Sequence, residues 1–164
     1  MGPMSSSLAV RQLALIDWDE LRSGSGSSAR RVAVDLRALL GIDDDVANEA
    51  RADLENPVVS QGHLFECAPA VVSVIVAAVA DGTIPPPSLG EVLDLLGRIV
   101  AGYSAPSELA LGRTDLRRRC HEEAWKGYWA LMRVACARDP FNAWKEAVEI
   151  LSMLDPEHSE RFGS

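Results

Sequence analysis

Histidine and cysteine are scarce in this chain, and neither falls into a pattern. His63, His121 and His158 lie far apart, and Cys67, Cys120 and Cys136 form an odd set whose spacing matches no zinc site. His121-Glu122-Glu123 has the opening of a zinc-binding helix, but the position that should carry the second histidine is Trp125. No glycine-rich turn joins a strand to a helix, as a phosphate-binding loop requires. Gly90 and Gly97 fall inside a helical pattern, and residues 23–28 lack both a lysine and a preceding strand. These absences leave no catalytic residue, metal ligand or cofactor to assign, and an enzyme is not expected.

Alternation of apolar and polar residues with a period of two is also missing, which argues against strands. No leader is expected, because residues 1–14 lack a basic start followed by an apolar block. The three cysteines sit among apolar neighbours, which suits free thiols in a reducing cytoplasm better than a disulfide framework. Basic charge is in deficit: the formal net charge is −8 and the isoelectric point about 4.8. That opposes nucleic-acid binding, which draws its affinity from cations neutralising phosphates, and favours a basic protein partner.

What is abundant is apolar surface at helical spacing. Residues 64–80, LFECAPAVVSVIVAAVA, are interrupted only by Glu66, Pro69 and Ser73. The run is too long for one strand and shorter than the roughly 20 residues of a membrane span. It predicts a buried helix that others must cover on nearly every side. Pro69 either kinks it or marks the meeting of two shorter helices. Asp81-Gly82 ends it.

The remaining chain supplies the cover. Leu8, Leu13, Leu15 and Ile16 open a short helix, and Asp17 caps a further turn carrying Trp18 and Leu21. Residues 23–28, SGSGSS, are either a flexible linker or a native turn capping the next helix. That helix covers residues 29–40 and stops at Gly41. A second begins at Asp43-Asp44-Asp45, where helix-terminal charge favours acids, and ends at Asn56-Pro57. Ser88 and Glu91 form a capping box for a helix through Ala101, with Gly97 at a close helix–helix approach. Residues 102–112 read as a loop. Thr114 caps one long helix to about Arg138, lined by Leu116, Cys120, Ala124, Tyr128, Leu131, Ala135 and Cys136. A last helix, residues 141–154, is buried through Phe141, Trp144, Val148 and Leu151. The expectation is all-α: a single helical domain over residues 1–164, ordered from 8 to 158. The ends, residues 1–7 and 159–164, are frayed or tag remnants. Six or seven helices then form either an α-solenoid fragment or a compact bundle.

Three surface features are candidates for function. Arg117-Arg118-Arg119 is the basic run, either salt-bridged to Glu122 and Glu123 or open to an anion. Trp125 and Trp129, with Tyr128 between them, share a helical face near Arg118 and Met132. They either pack on the C-terminal helix or form an exposed anchor of the kind that dominates protein interfaces. Asp43, Asp44, Asp45, Glu49, Asp53 and Glu55 are either a solvated face or an acidic wall that steers a basic partner.

Trp18-Asp19-Glu20-Leu21, Gly26-Ser27-Ser28-Ala29, Gln61-Gly62, Phe65-Glu66 and Pro69-Ala70-Val71 resemble, in that order, a group of small bacterial HEAT-like, armadillo-type proteins. The resemblance covers residues 18–101. Ser60 departs from it, where a histidine before Gln61-Gly62 is expected. The class implies binding surfaces and not catalysis, so no active site is carried over. The function expected is a non-catalytic protein-binding role, in its specific form an immunity- or antitoxin-like inhibitor of a basic toxin domain such as a nuclease. In that reading the acids 43–45, 49 and 53 steer, and Trp125 and Trp129 anchor. The alternatives are a scaffold subunit of a larger assembly and a helical small-molecule sensor holding its ligand among Trp125, Tyr128 and Trp129.

Overall fold

The computed structural model describes residues 7–42 and 47–161. Its centre is the helix α4, Ala68–Asp81, in which Val71, Val72, Val74 and Ile75 have no exposed surface. Full burial of each such side chain contributes about 1.5–3 kcal/mol. Pro69 lies in the first turn of α4, where its missing N–H would have no helical partner, so it starts the helix and does not kink it. At the other end Gly82 adopts φ 67°, and its N–H donates to the carbonyls of Ala78 and Val79.

Around α4 stand α1 (Leu8–Leu15), α5 (Pro86–Ala101), α7 (Leu116–Trp125) and α8 (Tyr128–Ala137). The helix α1 is tied to α4 at its start. Ser7 Oγ accepts from the Val10 N–H at 3.1 Å, and the Asp81 carboxylate accepts from the Leu8 and Ala9 N–H groups, each at 3.1 Å. A second layer pairs α2 (Arg30–Leu39) with α3 (Ala47–Val58) and lays α3 on α5, while α9 (Ala143–Leu154) packs on α5 and α8. Asp139 caps α9: its two carboxylate oxygens accept from the N–H groups of Phe141, Ala143 and Trp144. The molecule is a helical bundle.

Several expectations are corrected. A small sheet exists: β1 (Val59–Ser60) pairs antiparallel with β2 (His63–Leu64), and β2 pairs parallel with β3 (Tyr103–Ser104). Strands of two residues are too short for alternation to mark them in sequence. The Gln61-Gly62 turn that joins β1 to β2 needs φ 50° and 80°. The stretch expected as a loop contains β3 and the short helix α6, Pro106–Ala110. With the split described next, the described residues hold nine α-helices, not six or seven.

The long helix expected over residues 114–138 is two helices, interrupted at Lys126-Gly127. At the interruption the backbone lies against α4: a Cβ on Gly127 would stand 2.8 Å from the Cβ of Val76. Gly97 is different, since a Cβ there would meet Ile150 at an ordinary 3.7 Å. Other boundaries also move. Pro57 is inside α3, not beyond it; α5 begins at Pro86, ahead of Ser88; and Asp115 takes the cap position expected of Thr114. Asp17 opens a hydrogen-bonded turn and no helix. Phe141 is 52% exposed; α9 is buried through Leu151, as expected, and otherwise through Ala143, Ala147, Ile150 and Leu154. Cys67 and Cys120 are buried, whereas Cys136 is exposed.

Residues 23–28 form a native turn. Ser23 N–H donates to the Ser27 carbonyl at 2.9 Å, and Gly24 N–H donates to the Pro57 carbonyl at 2.8 Å. A Cβ at Gly24 would come within 2.5 Å of the Asn56 carbonyl oxygen, so only glycine fits that approach.

Candidate functional site

The aromatic trio is the surface feature that folding assembles most specifically. Trp125 closes α7, and Tyr128 and Trp129 open α8 beyond the Gly127 break. The Trp125 and Tyr128 rings stack with centroids 4.9 Å apart and an interplanar angle of 9°. Trp129 meets Tyr128 edge-on, at 5.3 Å and 88°. Tyr128 packs partly against the core, while Trp125 is 45% and Trp129 78% exposed. Such ring pairs contribute roughly 0.5–1.5 kcal/mol beyond their burial and hold their members in place. Of the two readings of the tryptophans, packing on the C-terminal helix therefore fails for Trp129. The pair does not share one continuous helix either; Tyr128 brings them together.

The acidic set is only partly within view. Asp43, Asp44 and Asp45 lie outside the described residues, and the side chain of Glu49 is likewise not described. Asp53 is exposed on α3. Glu55 turns inward to α5: it accepts from Arg98 at 2.9 Å and lies 3.7 Å from Arg51. Arg51, with 8% of its side chain exposed, also reaches Asp94 at 2.6 Å, and Arg98 reaches Asp94 at 3.3 Å. This four-residue cluster clamps α3 to α5, so Glu55 belongs to the scaffold. A second acidic concentration lies where α9 meets α5. There partial burial, then the neighbouring Glu149 and Asp94, hold the Glu146 carboxyl above its ordinary range. Of the described members, Asp53 is on α3, which packs on α2 and α5, and the aromatic trio is on α7, which packs mainly on α4 and α5, and α8, which packs mainly on α9.

The arginine run divides its work. Arg118 pairs with Glu122 at 2.6 Å and Asp115 at 3.3 Å. Arg117 donates to the carbonyls of Ala101 and Gly102 and covers the Tyr103 ring at 4.4 Å. His121 Nε2 lies 2.8 Å from the Val100 carbonyl oxygen, and His158 sits on Asp155. Among the described residues, no three His, Cys, Asp or Glu side chains converge as a metal-ligand set. None of the described helices is long and apolar enough to cross a membrane.

One group of charges was not anticipated. Glu108, on α6, has no exposed surface. Its Oε2 accepts from Arg113 Nη1 at 3.0 Å, and its Oε1 lies 3.6 Å from Arg22 Nε. Arg113 Nε also pairs with Glu66, whose Oε1 accepts from the Arg22 N–H at 3.0 Å. Glu108 and Arg113 are five residues apart, but Arg22 and Glu66 come from remote segments, so no local spacing could mark the group. Burial pushes the neighbouring Cys67 thiol up to about 12, with the Glu108 and Glu66 charges adding to it.

No family model, curated protein or solved structure matches this chain.

Proposed function

We infer that the protein is a non-catalytic binding module that docks a basic protein through the Trp125–Tyr128–Trp129 patch. The observation that carries this reading is Trp129, a large apolar ring 78% exposed yet held edge-on against a ring that is itself anchored in the core. Tryptophan and tyrosine offer much contact area for little ordering entropy, and a side chain already held loses less on binding. The net charge of −8 supports a partner of opposite sign. In its narrower form the partner is a basic toxin domain, and this chain, HEAT-like in its class, is the immunity-type inhibitor that covers its cleft.

The test is capture from the native cell with the wild-type chain and with the Trp125→Ala/Trp129→Ala variant side by side. A basic protein retained stoichiometrically by the first and lost by the second is the expected result. Retention of the same protein by both would remove the patch from the interface. Charge reversal of Asp43, Asp44, Glu49 and Asp53 together should then slow association and flatten its salt dependence. An unchanged association rate would remove the steering role.

A further inference from the structure

A trough of about 440 Å³ runs between α1 and the end of α7, with α4 as its floor. Its lining follows helical spacing on two helices. Leu8 and Leu15 stand seven residues apart on the α1 wall, and Val76, Ala77 and Ala80 pave α4. Seven residues of helix extend about 10 Å, so the trough matches two turns of a helix laid along it. Leu8 is 54% and Leu15 80% exposed, although α1 buries its other face through Ala9 and Leu13. The helix thus carries, at each end of the trough, an apolar residue that the described residues leave largely uncovered.

Two uncharged polar groups within it are already engaged. Gln12 Nε2 donates to Ser73 Oγ at 3.1 Å, and that hydroxyl donates to the Ala70 carbonyl at 2.6 Å. An occupant must therefore satisfy its own backbone, which a helix does and an extended peptide does not. The charges at the rim run against those of the molecule. Arg11 is exposed on the α1 wall, and Lys126 stands on the α7 wall with Glu123 at 2.9 Å. Arg11 and Lys126 against Glu123 leave the lining one positive charge in excess, on a chain of net charge −8.

We propose that the trough is a docking site for an amphipathic helix of a partner protein, with an apolar stripe at i, i+3, i+4 and i+7 flanked by carboxylates. The stripe covers Leu8, Leu15, Val76 and Ala77, and the carboxylates meet Arg11 and Lys126. Trp125 and Trp129 are not among the lining residues, so the site is separate from the aromatic patch and independent of its role.

The probe is a labelled peptide of about four helical turns, with leucines on the stripe and glutamates beside it, compared with a twin carrying lysines in their place. Fluorescence anisotropy should show the acidic peptide binding near 10 µM and the lysine twin about tenfold or more weaker. Ala80→Trp, at an exposed position, fills the trough and should weaken the acidic peptide about tenfold or more. Arg11→Glu with Lys126→Glu should invert the preference between the peptides. Trp125→Ala/Trp129→Ala should leave both affinities unchanged, which separates this site from the patch. Circular dichroism checks that each variant is folded. Equal binding of the two peptides, indifference to Ala80→Trp, or no saturation below about 1 mM would overturn the proposal. So would a concentration-dependent dimer that Ala80→Trp disperses, since the occupant would then be a second copy of this chain.

Discussion

Glu108 shows how one buried residue draws on both a near and a remote neighbour in sequence. A buried carboxylate is costly unless cations and hydrogen bonds compensate it; Arg113 supplies both to Oε2, while Oε1 has only the Arg22 charge, 3.6 Å away, and no hydrogen bond. Removing one partner of a buried pair commonly costs 3–5 kcal/mol, but the Arg113 and Arg22 side chains are 30% and 40% exposed and can turn to water. Glu108→Ala should therefore cost about 2–3 kcal/mol in urea unfolding, and Glu108→Gln, which keeps the shape, less. The thiols make a second case. Burial pushes Cys67 and Cys120 up to about 12 from an ordinary value of 9.0, so the native state resists their ionisation. The unfolded chain then releases protons above pH 9 that the native chain retains up to about pH 12. Stability should hold below pH 9 and fall as pH rises from there, measurable as a declining urea midpoint. A thiol reagent at neutral pH should label Cys136 rapidly and the buried Cys67 and Cys120 only on unfolding.

The break between α7 and α8 is decided between elements. Cys120, Ala124, Leu131 and Ala135 mark a buried face that runs through both helices, and that periodicity alone calls for one continuous rod. At the break the backbone of Gly127 lies against Val76 on α4. Gly127 has φ −101°, which any residue adopts, so its requirement is space and not conformational freedom. Gly127→Ala should cost about 1–3 kcal/mol through overpacking, and Val76→Ala should recover part of that loss. A double-mutant cycle in urea reads the coupling directly, and additive costs would show that the contact does not set the break.

At the scale of the molecule, one apolar cluster runs from Ala9 on α1 to Leu154 at the end of α9 and includes α4 throughout. Such a core should unfold as a unit. Far-ultraviolet circular dichroism and tryptophan fluorescence should trace a single coincident urea transition, with Trp18, buried and bonded to the Leu13 carbonyl, supplying most of the fluorescence change. Two separated transitions would show that α2 and α3 form a unit of their own. Much of this was readable from residue order. The apolar run of α4, the stop at Gly82 and the stripes of α2 and α5 are local patterns, because burial in a helix repeats every three to four residues. The short strands, the Gly127 break and the Glu108 cluster were not, since each depends on residues distant in the chain meeting in space. For the candidate site, sequence supplied Trp125, Tyr128 and Trp129 but not whether they face the core or the solvent. Helical character and a negative balance of charge were therefore determined by the chain alone, being sums over local choices. Which aromatic faces outward, and where a helix gives way to a neighbour, was decided only by tertiary packing, because close-packed interiors admit one arrangement of contacts among many that the same periodicity allows.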